Sequence, residues 1–539
     1  MTHSHTQQTI NEPLKPWKSI FVPTTTTIKL SDTVSSFMKG FLAICIVASI
    51  SLFSYSTLLN RPRWLSHFDP TFIHSDHTPK LGRLNTFIHS DHDKKLRKLD
   101  TFIQSDHAEK LRKLGDQEQT KTNISHIMFC LSGSAKTWNN RRHYTELWWK
   151  PNTTRGFVFL DKKPNPNWPD NTSPLYMVSE DTSRFKYTSP YGSRSAVRIA
   201  RVVKECFEMG LENVRWFVMG DDDTVFFVEN LVTVLGKYDH NEMYYVGGNS
   251  ESVEQDLIHS YTMAYGGGGF AVSYPLAAEL VRILDGCVDR YAALYGSDQK
   301  IGACMSEIGV VVTKELGFHQ VDVRGDPYGL LAAHPVAPLV SLHHLDYVQA
   351  LFPGLTQIDS LKKLIQSYNL DPGRILQQSF CYDLSRNWSI SVSWGYTVQL
   401  YPTLVLAKEL ETPFQTFVSW RSWSQEPFTF NTRVMSSDPC ERPVIYFLDQ
   451  VEEFEMGQTR TTYKRFLGES RKECGQEDYV PVLSVEFVNV LAATFQPDMW
   501  KKAPRRQCCE TVNSTIDGVD GVVHVRVRGC NRWETVTPP

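Results

Sequence analysis

The sequence predicts a mixed α/β body that follows one membrane-spanning helix and a repeat stem and precedes a β-rich region. Three observations lead to this fold class: an uncharged segment at 40–59, strand-like runs alternating with helical stretches from about His126, and short alternating stretches after Asp371. Strands that alternate with helices favour a mainly parallel sheet with helices on both faces. The predicted regions are a cytosolic tail (1–39), a transmembrane anchor (40–59), a stem (60–120), an α/β domain (121–370) and a β-rich domain (371–539).

The composition is that of an ordinary globular protein. Of 539 residues, 41% are hydrophobic, and 56 Lys+Arg against 59 Asp+Glu leave a formal net charge of −3. No basic surplus attracts the phosphates of a nucleic acid, so we expect no nucleic-acid partner. The length predicts two or three domains with ample material for a core.

The uncharged segment at 40–59 is long enough to cross a bilayer. A helix that rises about 1.5 Å per residue spans about 30 Å over this segment. A cleaved signal peptide is the alternative, and the 39-residue polar leader argues against it. Ten of the 11 cysteines follow the segment, as do five N-x-Ser/Thr sequons at Asn123, Asn152, Asn171, Asn387 and Asn513. Both features favour an oxidising, glycosylating lumen and a single-pass protein with a luminal body.

A threefold 15-residue repeat fills most of the stem. Its copies begin at Thr71, Thr86 and Thr101 with TFIHSDH, TFIHSDH and TFIQSDH. Metal binding by the histidines is one interpretation, but Gln104 replaces the first histidine in the third copy. Units this short cannot build a core, so we interpret the repeat as a spacer between the membrane and the body.

The α/β pattern is built from strands that end in polar residues and helices with one apolar face. In chain order these are the strand HIMFCLSG, a helix from Trp138 to Trp149, the strand RGFVFLD ending on Asp161, the helix SAVRIARVVKECFEMGL and the strand VRWFVMGDDD. Because ligands of such sheets gather at the carboxyl ends of the strands, Asp161 and the triple aspartate mark a predicted site.

The triple aspartate, Asp221 to Asp223, is the sharpest signal. Three adjacent carboxylates repel one another unless a cation or hydrogen-bond donors compensate, and a hard divalent ion such as Mn²⁺ or Mg²⁺ would do so. A solvated turn or a helix N-cap is the alternative. Downstream, the glycine run at 266–269 leads into an apolar stretch and would let backbone approach a ligand closely, although a flexible loop would also explain it.

After Asp371 the stretches SISVSWGYTVQLY, PVIYFLD and VVHVRVRG alternate with the period of antiparallel strands. This region holds six cysteines, which predict disulfides whose pairing the sequence does not specify: Cys381, Cys440, Cys474, Cys508, Cys509 and Cys530. It also holds four tryptophans that would form either core or a glycan-stacking platform: Trp388, Trp394, Trp420 and Trp423.

The segments WFVMGDDDTVFF, YYVGGNSE, YGGGGFAVS, GSDQKIGACM and APLVSLHHLD occur in that order between about 123 and 370. In this series the chain resembles the Fringe-related branch of glycosyltransferase family 31, and more closely the plant group defined by domain of unknown function 604. The resemblance implies a Golgi type II membrane protein with a GT-A-type, Rossmann-like mixed sheet flanked by helices. It also implies a UDP-sugar donor, Mn²⁺ (or Mg²⁺), a glycan or glycoconjugate acceptor, and an inverting hexosyl transfer of the β-1,3 type.

The resemblance also implies roles for individual residues. The triple aspartate matches the DxD element, with Asp223 and Asp221 as metal ligands and Asp222 contacting the nucleotide. His344 before Leu345-Asp346 matches the metal-binding histidine, with His343 as the alternative. Asp298 matches the catalytic base, and Ser297 departs from the family's acidic pair at the preceding position. Further donor contacts are assigned to Ser132, Asp161, Gly267, Gly268 and Gly269, with ordinary turn residues as the alternative for Ser132 and Asp161.

In the resulting hypothesis, the metal neutralises a departing diphosphate and Asp298 accepts the proton of an acceptor hydroxyl. A catalytically silent luminal protein that binds glycans or nucleotides, or that scaffolds a partner, is the alternative, and Ser297 favours it. A metal-dependent phosphatase or nuclease would need further His and Asp clusters that the sequence lacks.

Overall fold

The structure, a computed structural model, describes residues 121–538 apart from 165–167, 169–170, 426, 456, 469–473 and 513–520. The predicted tail, anchor and stem, and the sequon at Asn513, lie outside the described residues. No helix within the described ranges has both the length and the apolar character that a bilayer crossing requires.

A seven-stranded mixed sheet lies at the centre of the N-terminal half. The strands up to residue 342 are β1 Ile127–Ser132, β2 Gly156–Leu160, β3 Leu175–Val178, β4 Trp216–Asp221, β5 Val225–Phe226, β6 Tyr245–Gly247, β7 Phe270–Ser273, β8 Val312–Lys314, β9 Phe318–His319, β10 Val323–Gly325 and β11 Ser341–Leu342. The sheet order is β3-β2-β1-β4-β7-β6-β8, and only β7 runs antiparallel to its neighbours among these described strands. The predicted mixed, mainly parallel α/β sheet is therefore confirmed.

Helices cover this sheet because its central strands are apolar on both faces. They are α1 Trp138–Glu146, α2 Ser195–Glu208, α3 Val228–Leu235, α4 Val253–Ile258, α5 Tyr274–Arg290, α6 Ser297–Ile308, α7 Tyr328–Ala332 and α8 Gln357–Leu370. Along β1, Met128 belongs to the core shared with α2, α5 and α6, whereas Phe129 belongs to the core on the opposite face. Two disulfides tie this half together, Cys130–Cys206 between β1 and α2 and Cys287–Cys304 between α5 and α6.

Two small sheets connect the central sheet to later parts of the chain. In one, β11 pairs antiparallel with β5 and parallel with β9. In the other, β10 pairs antiparallel with β15, Phe417–Ser419, which comes from the C-terminal region. These pairings bring segments that are about 100 residues apart to the carboxyl end of β4.

The predicted β-rich region forms a closed eight-stranded barrel. Its strands, in chain order, are β12 Gln378–Asp383, β13 Trp388–Ser393, β14 Thr397–Tyr401, β16 Val444–Glu453, β17 Gln458–Arg465, β18 Phe487–Ala493, β19 Cys508–Thr511 and β20 Val522–Arg528, with the short helices α9 Ala407–Leu410 and α10 Val480–Leu483 between them. Most neighbours are antiparallel, as predicted, but β18–β20 and β12–β19 are parallel and complete the closure.

All six cysteines of this region are paired, as Cys381–Cys509, Cys440–Cys474 and Cys508–Cys530. The prediction of a disulfide-supported region is confirmed. The described sequon asparagines, Asn123, Asn152, Asn171 and Asn387, are all exposed. Paired cysteines and exposed sequons suit an oxidising compartment.

Helix α2 carries an acidic residue whose burial predicts a pH-dependent stability. Burial and the nearby Glu180 charge raise the pKa of Glu205 to about 7 from 4.5, so the fold loses stability as pH rises between these values. We expect Glu205→Gln to stabilise the protein by about 1–2 kcal/mol at pH 8, a value reduced because water reaches part of the carboxyl, and to have no effect near pH 4.5. Urea unfolding at both pH values tests this, with Glu208→Gln, an exposed residue of the same helix, as the control. Equal gains from both substitutions would contradict it.

Candidate active site

The triple aspartate lies at the carboxyl end of β4, beside the end of β1. The register pairs Ser132 with Asp221, and the Ser132 hydroxyl donates to Asp221 Oδ1 at 2.5 Å. The Asp221 amide donates to Thr224 Oγ1 at 2.9 Å, and that hydroxyl donates to the Gly267 carbonyl at 2.7 Å. The predicted donor contact Ser132 thus orients Asp221.

Asp221, Asp223 and His343 form a compact set of three possible metal ligands, with one ligand atom from each lying within 4.8 Å of the others. His343 Nε2 lies 3.1 Å from Asp223 Oδ1 and 3.7 Å from Asp221 Oδ2. The pairing of β11 with β5 explains the approach, because His343 directly follows β11 and Asp223 lies two residues before β5.

The geometry of Asp223 fits a bound cation. Its side chain is 1% exposed, yet neither carboxylate oxygen has an aligned hydrogen bond, although nitrogens of His343 and Arg141 lie 3.1 and 3.2 Å away. Buried carboxylate oxygens without such partners are costly unless a cation compensates. Two carboxylates and one imidazole are a donor set that Mn²⁺ accepts.

The surrounding charges keep the Asp223 carboxylate ionised. Burial alone would raise the pKa of Asp223, but the charges of His343 and Arg141 hold it well below its ordinary value. Burial lowers the pKa of His343, but the attraction of Asp223 outweighs it and raises this pKa to about 9, so a cation bound by His343 would displace its proton.

Asp222 is not a member of the three-ligand group. It is 2% exposed, and it accepts from Arg141 at 3.3 Å and from the Thr137 hydroxyl at 3.4 Å. Burial and the charge of Asp223 raise its pKa to about 7. Asp222 therefore forms an ion pair with Arg141 of α1, and its contact with a nucleotide stays a prediction.

The structure favours His343 over His344 as the metal-binding histidine. His344 Nδ1 pairs with Asp322 Oδ1 at 2.9 Å, and its ring stacks on Trp420 with 4.3 Å between ring centroids and 8° between planes. His344 has a left-handed backbone, with φ 52°. Its side chain therefore leaves the backbone in a different direction from that of His343, which directly follows β11. The geometry thus favours His343, the alternative named in the sequence analysis, and metal binding by either histidine stays a prediction.

The glycine run packs against the histidine and the acidic cluster. A Cβ atom at Gly267 would overlap the His343 ring, and the Gly268 amide donates to Gln320 Oε1 at 2.6 Å. Gly269 has φ +84° and lies against Phe226. Glycine is thus needed at 267 to admit the imidazole and at 269 for the left-handed backbone.

Gly267→Ala is expected to displace His343 and to weaken Mn²⁺ binding at least tenfold, because one of three ligands leaves its position. Isothermal titration with Mn²⁺ measures the effect. Gly266→Ala is the matched control, since its added Cβ would meet no atom closer than 3.7 Å, the Asp298 Cβ. Equal Mn²⁺ affinities of Gly267→Ala and Gly266→Ala would show that the position of the His343 ring does not depend on the missing side chain at residue 267.

Asp298 lies in the first turn of α6, and its carboxylate accepts from the Gln299 amide at 2.9 Å and from the Gly266 amide at 3.4 Å. Burial raises its pKa above the ordinary value, against the effect of these two hydrogen bonds. Asp298, Ser297 and Asp221 line one small cleft together with Ser132. The predicted base and the predicted metal ligand therefore face the same space.

Asp161 lies outside this cleft and outside the three-ligand group. Its exposed carboxylate accepts from the Ser134 hydroxyl at 3.1 Å and the Ala135 amide at 2.8 Å, and so fixes the loop after β1. Sequence reasoning missed Arg141, which pairs with Asp222 and Asp223, and Asp322, which holds His344. No local sequence pattern marks Arg141 or Asp322, because each contacts its partner residues only in the folded protein.

Two family models and a curated protein match parts of this chain. Residues 122–325 match the model of the family described as Fringe-like, and residues 255–509 match the model of a family described as a protein of unknown function, DUF604. A human β-1,3-glucosyltransferase is 29% identical over 155 residues, which cover 28% of this chain and 29% of that protein. The chain thus spans less than a third of the length of this relative.

Among solved structures, the catalytic domain of Drosophila β1,4-galactosyltransferase 7 in complex with xylobiose aligns with a TM-score of 0.21 and 14% identity. The alignment covers 35% of this chain and 64% of that domain.

Proposed function

This chain belongs to the Fringe-related branch of glycosyltransferase family 31, and from that membership we propose that it moves a hexose from a UDP-sugar to a hydroxyl of a glycan or glycoconjugate. We infer a GT-A fold for the α/β half, inversion at the anomeric carbon and a β-1,3 linkage. The observation that carries the proposal is the group of Asp221, Asp223 and His343 beside the cleft that holds Asp298.

Each residue of the site has a defined part in the proposed transfer. Asp221, Asp223 and His343 would hold a divalent cation, Mn²⁺ or Mg²⁺, which would supply positive charge to neutralise the departing diphosphate. Ser132 fixes the orientation of Asp221 through its 2.5 Å hydrogen bond. Asp298 accepts the proton of the acceptor hydroxyl, and its raised pKa makes it a stronger base than an ordinary aspartate.

We place the body of the protein in the Golgi lumen, as a type II protein anchored by residues 40–59. Five disulfides and four exposed sequon asparagines support an oxidising, glycosylating compartment. Protease protection of the full chain in sealed Golgi vesicles tests this placement, and cleavage of the barrel without detergent would contradict it.

Thermal unfolding of the full chain with a panel of UDP-sugars tests the activity. A true donor stabilises the protein by mass action, so one UDP-sugar should raise the unfolding temperature by several degrees in Mn²⁺ and not in EDTA. The same UDP-sugar should release UDP when an acceptor glycan is added. A panel without stabilisation and without UDP release would overturn the proposal.

A catalytically silent glycan- or nucleotide-binding or scaffolding protein is the second candidate. Ser297 favours it, because this residue lines the cleft where the family carries a second acidic side chain. A silent protein would be stabilised by a UDP-sugar and Mn²⁺ but would release no UDP with any acceptor, which separates the two functions.

A further inference from the structure

A closed turn at residues 419–424 projects from the C-terminal region toward the site. The Ser419 amide donates to the Ser424 carbonyl at 2.8 Å, and the hydroxyls of Ser419, Ser422 and Ser424 lie 2.7–3.0 Å apart. The Ser422 amide donates to Glu254 of α4 at 3.3 Å, which ties the turn to the α/β half. Within it, Trp423 adopts a left-handed backbone with φ 55°, a conformation that costs a non-glycine residue energy.

The turn presents an aromatic platform, which we define as Tyr347, Trp420 and Trp423 around the guanidinium of Arg324. The guanidinium carbon lies 4.4 Å from the Trp420 ring, 4.8 Å from Trp423 and 5.2 Å from Tyr347. Arg324 Nε donates to the Trp420 carbonyl at 2.9 Å, which fixes the cation among the rings. Trp423 nevertheless remains 64% exposed and Tyr347 41% exposed.

Of the four tryptophans that the sequence analysis singled out, the two outside the turn are buried. Trp388 and Trp394 are 6% and 1% exposed, and belong to the barrel core. The expectation of core tryptophans therefore holds for this pair, whereas Trp420 is half-buried and Trp423 projects into solvent.

The aromatic platform adjoins the metal-ligand group. Trp420 stacks on His344, and the His344 ring lies 3.9 Å from the His343 ring. The pairing of β10 with β15 fixes this position, because it aligns Val323 with Ser419 and so brings Trp420 beside Asp322. Through Trp420 and the two histidines, the aromatic platform is therefore in continuous contact with the metal-ligand group.

We propose that the aromatic platform is an acceptor subsite, in which the exposed Trp423 ring stacks against the apolar face of a pyranose unit of the acceptor glycan. A pyranose ring presents a face of C–H groups to an aromatic surface, and a tryptophan held rigidly loses little entropy on contact. This assignment rests on the proposed function, because it names the glycan that the same site would use.

Binding of the full chain to an array of neutral, N-acetylated and uronic-acid-containing oligosaccharides tests the subsite. The wild-type chain should label a subset of these glycans, Trp423→Phe should retain most of the signal, and Trp423→Ala should lose about tenfold in affinity. Trp533→Ala is the matched control, since Trp533 is 85% exposed, has φ 70° and also stacks with an arginine, Arg532 at 5.0 Å. Equal labelling by Trp423→Ala and wild type, or no labelling by wild type, would overturn the subsite.

The thermal-unfolding test with UDP and Mn²⁺ keeps this outcome distinct from the proposed function. Stabilisation by UDP and Mn²⁺ with UDP release on addition of an acceptor, together with a Trp423-independent array signal, would remove the subsite and leave the transferase. A Trp423-dependent array signal without any stabilisation by UDP would leave a glycan-binding surface and remove the transferase.

Discussion

Replacing Asp223 with asparagine is expected to lower Mn²⁺-dependent UDP release by at least roughly a thousandfold, because a metal ion supplies several kcal/mol of charge stabilisation. Asp223 is the most buried member of the three-ligand group, and neither of its oxygens has an aligned hydrogen bond, although His343 and Arg141 form ion pairs with it. The measurement is UDP release at saturating UDP-sugar, together with the Mn²⁺ affinity from titration calorimetry.

Asp222→Asn is a closely matched control for this experiment. Asp222 is equally buried, is adjacent in sequence and shares Arg141 with Asp223, but it lies outside the three-ligand group. The pKa of Asp222 is raised to about 7, so about half of its carboxyl groups are already protonated at pH 7. Replacement by a neutral amide therefore changes the charge at this position only in part. Equal loss of Mn²⁺ affinity in both variants would mean that the cluster is a structural ion pair and not a metal site.

Replacing Asp298 with asparagine is expected to lower the turnover number by about a hundredfold or more, the contribution typical of a general base. Binding of UDP and Mn²⁺ should be unchanged, because Asp298 lies across the cleft from the metal ligands and is not one of them. Single-turnover kinetics with a calorimetric UDP affinity separates the two effects. In the wild type, the acid limb of the pH–rate profile should lie above pH 3.8, since burial raises this pKa.

Ser297→Ala is the control for Asp298, since both side chains line the same cleft. A serine hydroxyl cannot replace a carboxylate base, so this variant should keep most of its activity. A larger loss of turnover from Ser297→Ala than from Asp298→Asn would mean that Asp298 is not the base, contrary to what the family resemblance implies.

Much of the fold follows from local pattern. The apolar strand runs and the one-sided helices predict the mixed sheet because a strand buried on both faces must be apolar throughout, as β1 is. The barrel's closure was not predictable in the same way. Residues 487–492 pair in parallel with 522–527, and no periodicity within either strand specifies a parallel partner.

Within the site, the sequence places the triple aspartate at a strand end but does not distinguish His343 from His344. That choice depends on one backbone angle, the φ of 52° at His344, and on the register of β11 against β5. The role of Arg141 is equally invisible in sequence, because the salt bridges to Asp222 and Asp223 join residues about 80 positions apart. Pairwise contacts of this length are set by packing of the whole domain and not by local pattern.

The antiparallel pairing of β10 with β15 has a consequence for how this protein can diversify. A chimaera that keeps residues 121–370 and takes its remaining residues from a related chain would exchange Trp420 and Trp423 along with the barrel. The group of Asp221, Asp223 and His343 would then lie beside a surface that comes from the related chain. Substitutions within 417–424 would therefore alter the proposed acceptor subsite without any change at the strand ends.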